Sequence, residues 1–218
     1  MNKQQKILQV MKILSKKYPS YEQTTLNRMR KKPDAFKILI SCLLSLRARD
    51  ENTEKVSKAL FKVAATPKAI IKIPLKKLEK IIFSSGHYKK KARTLKHVSK
   101  EILKKFKGKV PKTREELLSI KGIGPKTANI VLAFAYGECV IPVDVHVHVI
   151  ANRLGWVNTK TAEKTEPELM KIIPRKYCAD LNAILVQFGR NICVTLSPKC
   201  SICPVNKYCP KTDVKKSR

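Results

Sequence analysis

Residues 117–128 read LLSIKGIGPKTA, in which two short apolar segments flank a turn that contains two glycines. Gly122 and Gly124 permit a tight turn and a close approach of another backbone, because they carry no Cβ. Pro125 stands where a helix favours its first residue. The segment therefore predicts a helix, a hairpin turn and a second helix.

Apolar residues with helical spacing continue on both sides of this hairpin. They predict helices at residues 3–18, 36–46, 50–63, 88–107, 146–154, 163–173 and 177–192, and shorter ones at 69–73 and 75–83. Asp34 can cap the helix at 36–46, which is apolar nearly all round and should be buried. Thr113 and Glu116 match a capping box in front of the hairpin. No segment alternates convincingly between apolar and polar residues, so we expect an all-α fold.

The chain of 218 residues carries a formal net charge of +31, from 47 Lys and Arg against 16 Asp and Glu. This surplus suggests a polyanionic partner: nucleic acid first, then an anionic membrane surface or a ribosome-like assembly. A generally lysine-rich composition is the alternative. Because the net charge is so high, binding to nucleic acid should depend strongly on salt. Ten basic residues lie between Lys89 and Lys109, and they form either a solvated helix face or, if they lie near bound nucleic acid, part of its binding surface. The N-terminus does not resemble a secretory signal and no apolar run has membrane length, which predicts a cytoplasmic protein that is not secreted.

The hairpin also suggests a chemistry, because free N–H groups at the start of a helix form a phosphate site. Such a turn would hold a nucleic-acid backbone without reading its sequence. Lys126 lies in the first turn of the second helix, where the positive helix end disfavours the ammonium and makes the amine a better nucleophile. Contact with phosphate is the other role for Lys126, and the physics of the segment alone favours it.

Asp144 follows Pro142 in an apolar stretch and precedes a predicted helix. Its carboxylate could cap that helix, which is the common role at such a position. It could also stabilise positive charge that develops on a sugar, or transfer protons. His146, two residues later, is expected to form hydrogen bonds at the helix start rather than to act as a base.

Four of the seven cysteines lie near the C-terminus with the spacing C-x6-C-x2-C-x5-C, namely Cys193, Cys200, Cys203 and Cys209. Four thiolates this close can converge on one tetrahedral centre, and both zinc and a 4Fe–4S cluster accept four thiolates. The spacing leaves both open. Cys42, Cys139 and Cys178 lie among apolar residues and are predicted to pack in the core.

Taken together, these residues resemble the endonuclease III family of the helix–hairpin–helix glycosylases. The resemblance runs from about Phe36 to Cys209 and is carried by the hairpin, Val143-Asp144, Asn152 to Leu154, Gly189-Arg190 and the cysteine array. It implies a six-helix barrel domain at 28–138, and a second helical domain at 1–27 and 139–218 with DNA in the cleft between them. It also implies that the four cysteines hold a 4Fe–4S cluster, that Lys126 is the nucleophile and that Asp144 is the catalytic carboxylate.

The same resemblance implies a function in base excision repair. The enzyme would remove oxidised pyrimidines such as thymine glycol from duplex DNA through a lysine Schiff base, and would cut 3′ to the abasic site by β-elimination. Its partner would be double-stranded DNA with a damaged base or an abasic site. The protein would be a cytoplasmic, nucleoid-associated monomer. A monofunctional thymine or adenine mismatch glycosylase and a non-catalytic iron–sulfur DNA-binding protein are the alternatives. The presence of Lys126 argues against the first, and the presence of both Lys126 and Asp144 argues against the second.

Residues expected to contact DNA include the hairpin positions Lys121, Gly122, Ile123, Gly124 and Thr127. Two further positions depart from the family. Arg47 stands where glutamine is frequent and would help to fill the space left by a flipped base. His87 stands where the family has an apolar intercalating residue, and it could stack. Val145 and Val149 replace the more usual threonine and arginine, so lesion preference stays open.

Overall fold

The structure is a computed structural model that describes residues 1–19 and 24–218. Every regular element in these ranges is helical, which confirms the predicted all-α class. The α-helices are α1 Lys3–Lys17, α2 Thr25–Met29, α3 Ala35–Ser45, α4 Asp50–Val63, α5 Pro67–Lys72, α6 Leu75–Ile81, α7 Tyr88–Phe106, α8 Arg114–Leu118, α9 Pro125–Ala135, α10 Val145–Arg153, α11 Ala162–Ile172 and α12 Cys178–Asn191. In the described ranges, no helix combines the length and the apolar character that crossing a membrane requires.

The chain divides into two compact units. Unit 1 consists of Met1–Gln23 and Cys139–Arg218, and unit 2 of Thr24–Glu138. Unit 2 is thus one continuous stretch of chain, whereas unit 1 combines an N-terminal and a C-terminal stretch. The functional domains expected at 28–138 and at 1–27 with 139–218 stay a prediction.

Helix α3 is the central element of unit 2. Its N-cap forms as predicted, because Asp34 Oδ1 accepts a hydrogen bond from the backbone N–H of Lys37 over 3.0 Å. The helix packs against α4, α7 and α9, and its residues from Ile38 to Leu44 are buried. It ends at Ser45, one residue earlier than predicted, and Leu46 is 45% exposed. Leu46 therefore lies on the surface and not in the core.

Helix α7 packs against α5 and α6 through an apolar face that includes Ala92, Leu95, Val98 and Ile102. Most of its basic side chains lie on the opposite, exposed face, as expected for an amphipathic helix. Lys91 differs from them, since only 7% of it is exposed. The series of ten basic residues is thus not a uniform solvated face.

The hairpin begins with a cap that differs from the prediction. The hydroxyl of Thr113 accepts a hydrogen bond from the backbone N–H of Glu116 over 3.3 Å. The Glu116 carboxylate then accepts from the Thr113 hydroxyl over 2.8 Å, instead of from the Thr113 backbone N–H as a capping box requires. One of the two capping-box bonds is therefore present, and a hydrogen bond between the two side chains replaces the other.

Unit 1 has a core formed by α1, α10, α11 and α12. The face of α1 that the spacing predicted is buried there, at Ile7, Val10, Met11 and Leu14. Cys178 belongs to this core and the half-buried Cys139 packs against it, but the two form a disulfide instead of packing as separate thiols. Their sequence separation of 39 residues gave no local sign of this bond. Cys42, in unit 2, is a buried free thiol as predicted.

Candidate functional site

The hairpin in unit 2 exposes its turn and buries its flanks. Gly122 adopts φ = +104°, which side chains rarely tolerate, and a Cβ there would lie 2.9 Å from Cγ2 of Thr94 on α7. Gly124 is the N-cap of α9 with φ = −98°, and nothing lies within 4 Å of a Cβ built on it. Glycine is therefore required at Gly122 by the fold, while at Gly124 it leaves open space beside the start of α9.

Five hairpin residues were predicted to contact DNA, and the structure separates them into two groups. Lys121, Gly122 and Gly124 are exposed. The side chain of Ile123 is 5% exposed and that of Thr127 is turned inward, where its hydroxyl accepts a hydrogen bond from the Cys42 thiol over 3.6 Å. For Ile123 and Thr127, a contact with a ligand outside the fold is thus limited to backbone atoms.

Lys126 is the second residue of α9 and is half-buried. Burial raises the pKa of the Cys42 thiol, while its hydrogen bond with Thr127 and the charge of Lys126 oppose this increase. The Lys126 ammonium is therefore close enough to act electrostatically on the interior of unit 2 between α3 and α9. This position at the helix start is the one that the sequence predicted.

Arg47, His87 and Gly122 are far apart in sequence but line one cavity of about 460 Å³ in unit 2. Leu43, Leu46, Lys90, Lys91 and Thr94 complete the described lining. This lining contains basic and apolar side chains and no carboxylate, so it suits a ligand that is both anionic and partly apolar. The structure thus brings together the two residues predicted to contact a disrupted base pair and one glycine of the hairpin.

Both of these loop residues have a strained backbone. Arg47 has φ = +54° and His87 has φ = +47°, in the left-handed region that non-glycine residues adopt rarely. His87 immediately precedes α7, and Arg47 lies just beyond the end of α3. The surrounding structure must hold both conformations, because each is locally unfavourable.

Asp144 is placed in unit 1 by its own capping bond. Its Oδ1 accepts a hydrogen bond from the backbone N–H of Val147 over 3.0 Å, so it is the N-cap of α10. The backbone just before Asp144 is held as well, since the side-chain amide of Asn182 donates a hydrogen bond to the Pro142 carbonyl over 2.8 Å. The capping role is therefore present. A catalytic role stays a prediction.

His146 lies where α10 and α12 approach closely. A Cβ added to Gly189 would lie 2.6 Å from His146 Nδ1 and 3.1 Å from Cδ1 of Ile150. The imidazole thus packs against the backbone of α12. This supports a structural role for His146, in line with the expectation that it is not a base.

The four C-terminal cysteines line one cavity in unit 1. Burial raises the pKa of the thiols of Cys193, Cys203 and Cys209, and repulsion from neighbouring cysteine thiolates adds to this. The thiols therefore face one another across a common space. In the described ranges, however, no three His, Cys, Asp or Glu side chains stand in the geometry of a metal site.

Arg153 holds this cysteine segment in place. It is 7% exposed, and its guanidinium donates to the carbonyls of Cys193, Val194 and Thr195 and to Cys193 Sγ over 3.5 Å. Its own carbonyl accepts from the Cys209 thiol over 3.2 Å. The sequence interpretation assigned Arg153 no role of its own. Its signal was a lone arginine on a largely apolar helix.

The donor set fits a thiolate-bound metal centre. Four cysteines around one cavity, with an arginine donating to one sulfur, offer the soft ligands and the hydrogen bonds that zinc and iron–sulfur sites both use. Coordination would also reverse the raised thiol pKa values, because a bound cation stabilises thiolates. The residues present thus suit such a group, without selecting the metal.

Comparison with known proteins identifies the family. Residues 40–175 match the HhH-GPD superfamily of base excision DNA repair proteins. Endonuclease III of Thermotoga maritima is 44% identical over 182 residues, 84% of this chain and 85% of that protein. Endonuclease III of Haemophilus influenzae is 34% identical over 174 residues, 80% of this chain and 82% of that protein.

Solved structures agree with this assignment. A trapped endonuclease III–DNA covalent intermediate has a TM-score of 0.84 and 33% identity, with 97% of both chains covered. A thermostable thymine-DNA glycosylase shares the fold, with a TM-score of 0.83 and 23% identity over 95% of this chain and 96% of that one. The chain therefore belongs to the endonuclease III family of the HhH-GPD superfamily, the DNA-binding glycosylases and abasic-site lyases of base excision repair.

Proposed function

We propose that this enzyme removes oxidised pyrimidines of the thymine glycol type from duplex DNA, with Lys126 as the nucleophile and Asp144 as the catalytic carboxylate. The observation that carries the proposal is the position of Lys126 in the first turn of α9, directly behind the exposed Gly122–Gly124 turn. A backbone held by that turn places its sugar within reach of the amine, whereas a lysine elsewhere on the helix would point away.

The hairpin binds DNA through its backbone. Pro125 has no N–H, but the N–H groups that follow it in the first turn of α9 carry the positive end of the helix dipole, so they attract a phosphate. The open space beside Gly124 allows the phosphate to approach. Lys121 is exposed in the same turn and adds a cation without reading the sequence.

The reaction requires the damaged base to leave the stack, because C1′ is unreachable in the duplex. Neutral Lys126 attacks C1′ and the C1′–N bond breaks, so the base leaves with the electron pair of that bond and takes up a proton. Asp144 stabilises the positive charge that develops on the sugar and transfers protons. The amine then loses a proton, the C1′–O4′ bond breaks and O4′ takes up a proton, so the sugar ring opens and a Schiff base joins Lys126 to C1′. This Schiff base acidifies the proton at C2′. Its loss expels the 3′ phosphate by β-elimination and cuts the strand.

Arg47 and His87 are assigned to the space that the flipped base leaves. Both lie at the cavity shared with Gly122. Arginine can donate hydrogen bonds to the orphaned partner base, and histidine can stack between bases. Because both side chains differ from those usual at these positions, they are candidates for setting which opposite base the enzyme prefers.

We also propose that Cys193, Cys200, Cys203 and Cys209 hold a 4Fe–4S cluster. When bound, the cluster would join the ends of a loop-rich segment and stabilise it, and no step of the excision chemistry above depends on it. Arg153 would orient the segment through its three carbonyl contacts. The working form would be a monomer on double-stranded DNA at the nucleoid. Co-localisation of a fluorescent fusion with DNA tests the location.

Borohydride trapping tests the nucleophile. Wild type, Lys126→Ala and Lys121→Ala would be incubated with duplex DNA that holds one thymine glycol or one abasic site. We expect a covalent adduct for wild type and for Lys121→Ala, which loses only a phosphate contact, and no adduct for Lys126→Ala. If the wild type forms no adduct on the thymine glycol duplex and none on the abasic-site duplex, the lyase mechanism is rejected. Enzyme-dependent excision of thymine or adenine from a mismatched duplex, seen as alkali-dependent strand cleavage without an adduct, would then indicate a monofunctional mismatch glycosylase.

A further inference from the structure

The buried amine of Lys91 joins two loops that are distant in sequence. Lys91 Nζ donates one hydrogen bond to the carbonyl of Leu44 and another to the carbonyl of Ser85, each over 2.6 Å. Leu44 lies at the end of α3, three residues before Arg47, and Ser85 lies two residues before His87. One side chain therefore contacts the backbone in front of both residues that are assigned to the disrupted base pair.

These contacts are made inside the protein. Only 7% of Lys91 is exposed, and the residue belongs to the lining of the cavity that holds Arg47, His87 and Gly122. A buried ammonium with carbonyl acceptors and no carboxylate in the described cavity lining is a costly arrangement, since the charge is desolvated without an ionic partner. Burial accordingly lowers the pKa of Lys91 to about 8. A fold that needed only packing at this position would be served better by leucine or methionine.

The two loops need such a support, because Arg47 and His87 both have left-handed backbones. A strained residue returns to a relaxed conformation unless its neighbours are fixed. Lys91 holds one backbone carbonyl on the N-terminal side of Arg47 and one on the N-terminal side of His87, through charge-assisted hydrogen bonds. Within unit 2, the same nitrogen thereby sets the separation of the two loops.

We infer that Lys91 is a positioning residue for recognition of the disrupted base pair: its amine holds the Arg47 loop and the His87 loop at a fixed separation. The inference rests on the proposed assignment of these loops to DNA. It predicts that Lys91 acts on duplex substrates, where bases must be parted and held, and leaves the chemistry of Lys126 intact.

Helix α7 offers a matched control. Lys96 Nζ also donates to a backbone carbonyl, that of Ile71 over 2.7 Å, but this carbonyl lies in α5 and not in either loop. Lys91→Met and Lys96→Met each remove one amine and keep the apolar part of the side chain. Both variants lose hydrogen bonds to the backbone, and only Lys91→Met releases the loops.

The experiment compares three readouts for wild type and both variants. We expect Lys91→Met to raise the Kd for a duplex with a tetrahydrofuran abasic-site analogue, and to slow single-turnover excision of thymine glycol, each by about tenfold, the size of one lost charge-assisted hydrogen bond. Lys96→Met should change both by less than about twofold. Borohydride trapping on a single-stranded abasic oligonucleotide, which has no base pair to part, should stay at the wild-type level in both variants.

The outcomes distinguish the positioning role of Lys91 from general unfolding and from a failure of the proposed function. Duplex binding and excision by Lys91→Met equal to those of Lys96→Met would overturn the positioning role. An equal loss of single-stranded trapping would also overturn it, since that loss indicates general unfolding. If Lys91→Met does not fold, Lys91→Gln replaces it, because the shorter amide keeps a donor but cannot reach both carbonyls. Failure of the wild type itself to excise or trap would reject the proposed function instead.

Discussion

The carboxylate of Asp144 caps α10 by accepting a hydrogen bond from the backbone N–H of Val147 over 3.0 Å. The same carboxylate is proposed to stabilise charge in catalysis, so its two roles need to be separated. Asparagine caps a helix about as well as aspartate but carries no charge, and alanine does neither.

We expect Asp144→Asn to keep the stability of the wild type. Its rate of excision should fall by about a hundredfold or more, the usual effect of removing an acid–base group. Asp144→Ala should lose the same activity and in addition about 1 kcal/mol of unfolding free energy. Urea unfolding and single-turnover excision of thymine glycol measure the two effects. Full activity in Asp144→Asn would leave the carboxylate with the capping role alone.

The two hairpin glycines should respond differently to alanine. Gly122→Ala combines φ = +104° with a contact of 2.9 Å to Thr94, so it should lower the unfolding free energy by at least about 1–2 kcal/mol. Gly124→Ala has room and an ordinary φ, so its stability should change by less than about 1 kcal/mol. The added methyl group lies where the phosphate approaches, so the Kd of Gly124→Ala for DNA should rise. Equal stability of the two variants would contradict the backbone argument.

The amine of Lys91 should make stability depend on pH. Burial lowers its pKa from 10.5 to about 8 in the folded chain, so between these values the unfolded chain binds more protons than the folded chain. The contribution of Lys91 to stability therefore rises with pH in that window and is lost as the pH falls through about 8.

Lys91→Met removes this titration. The difference in unfolding free energy, wild type minus Lys91→Met, should increase when urea unfolding is repeated from about pH 7 to about pH 10. Arg47, His87 and Lys90 line the same cavity and are present in both proteins, so their contributions largely cancel in this difference. A difference that stays constant with pH would show that the amine has its ordinary protonation behaviour.

Arg153→Lys should destabilise the cysteine segment. Lysine keeps the charge but not the planar fork that reaches the carbonyls of Cys193, Val194 and Thr195. We expect faster proteolysis of residues 193–200. We also expect a lower iron content than the about four atoms per chain that a complete 4Fe–4S cluster supplies. Arg190→Lys, on an exposed part of α12, is the control and should match the wild type. Zinc in place of iron in the wild type would reject the cluster but not the role of Arg153.

Local signals in the sequence predicted most helices well. The apolar spacing of α1, the Asp34 cap of α3 and the bounds of α4 all depend on residues within one or two turns, which is why they could be recognised. Helix α2 was not predicted. It has only five residues, too few to show an apolar spacing. Its start is held by the hydroxyl of Thr24, which accepts from the Asn27 backbone N–H over 3.2 Å, and by the carboxylate of Asp50, which accepts from the Thr25 backbone N–H over 3.1 Å. The contact with Asp50 comes from a distant position and leaves no local pattern.

The residues of the candidate site also divide into those that have a local signal in the sequence and those that have none. Lys126, Asp144 and the four cysteines lie in motifs with fixed spacing, and the sequence could single them out. Lys91 was counted as one basic residue among ten, because the two carbonyls that accept its hydrogen bonds come from positions 44 and 85. The disulfide between Cys139 and Cys178 was missed for the same reason.

Unit 1 is built from the first helix of the chain and from residues beyond 138, and this order has a consequence during synthesis. Unit 2 is one uninterrupted stretch, so it can fold as soon as it leaves the ribosome. Helix α1 emerges before it, yet α12, which packs against α1, is made only after unit 2. The apolar side chains of α1 therefore have no partner throughout the translation of unit 2, which makes this segment the place where chaperones are expected to bind.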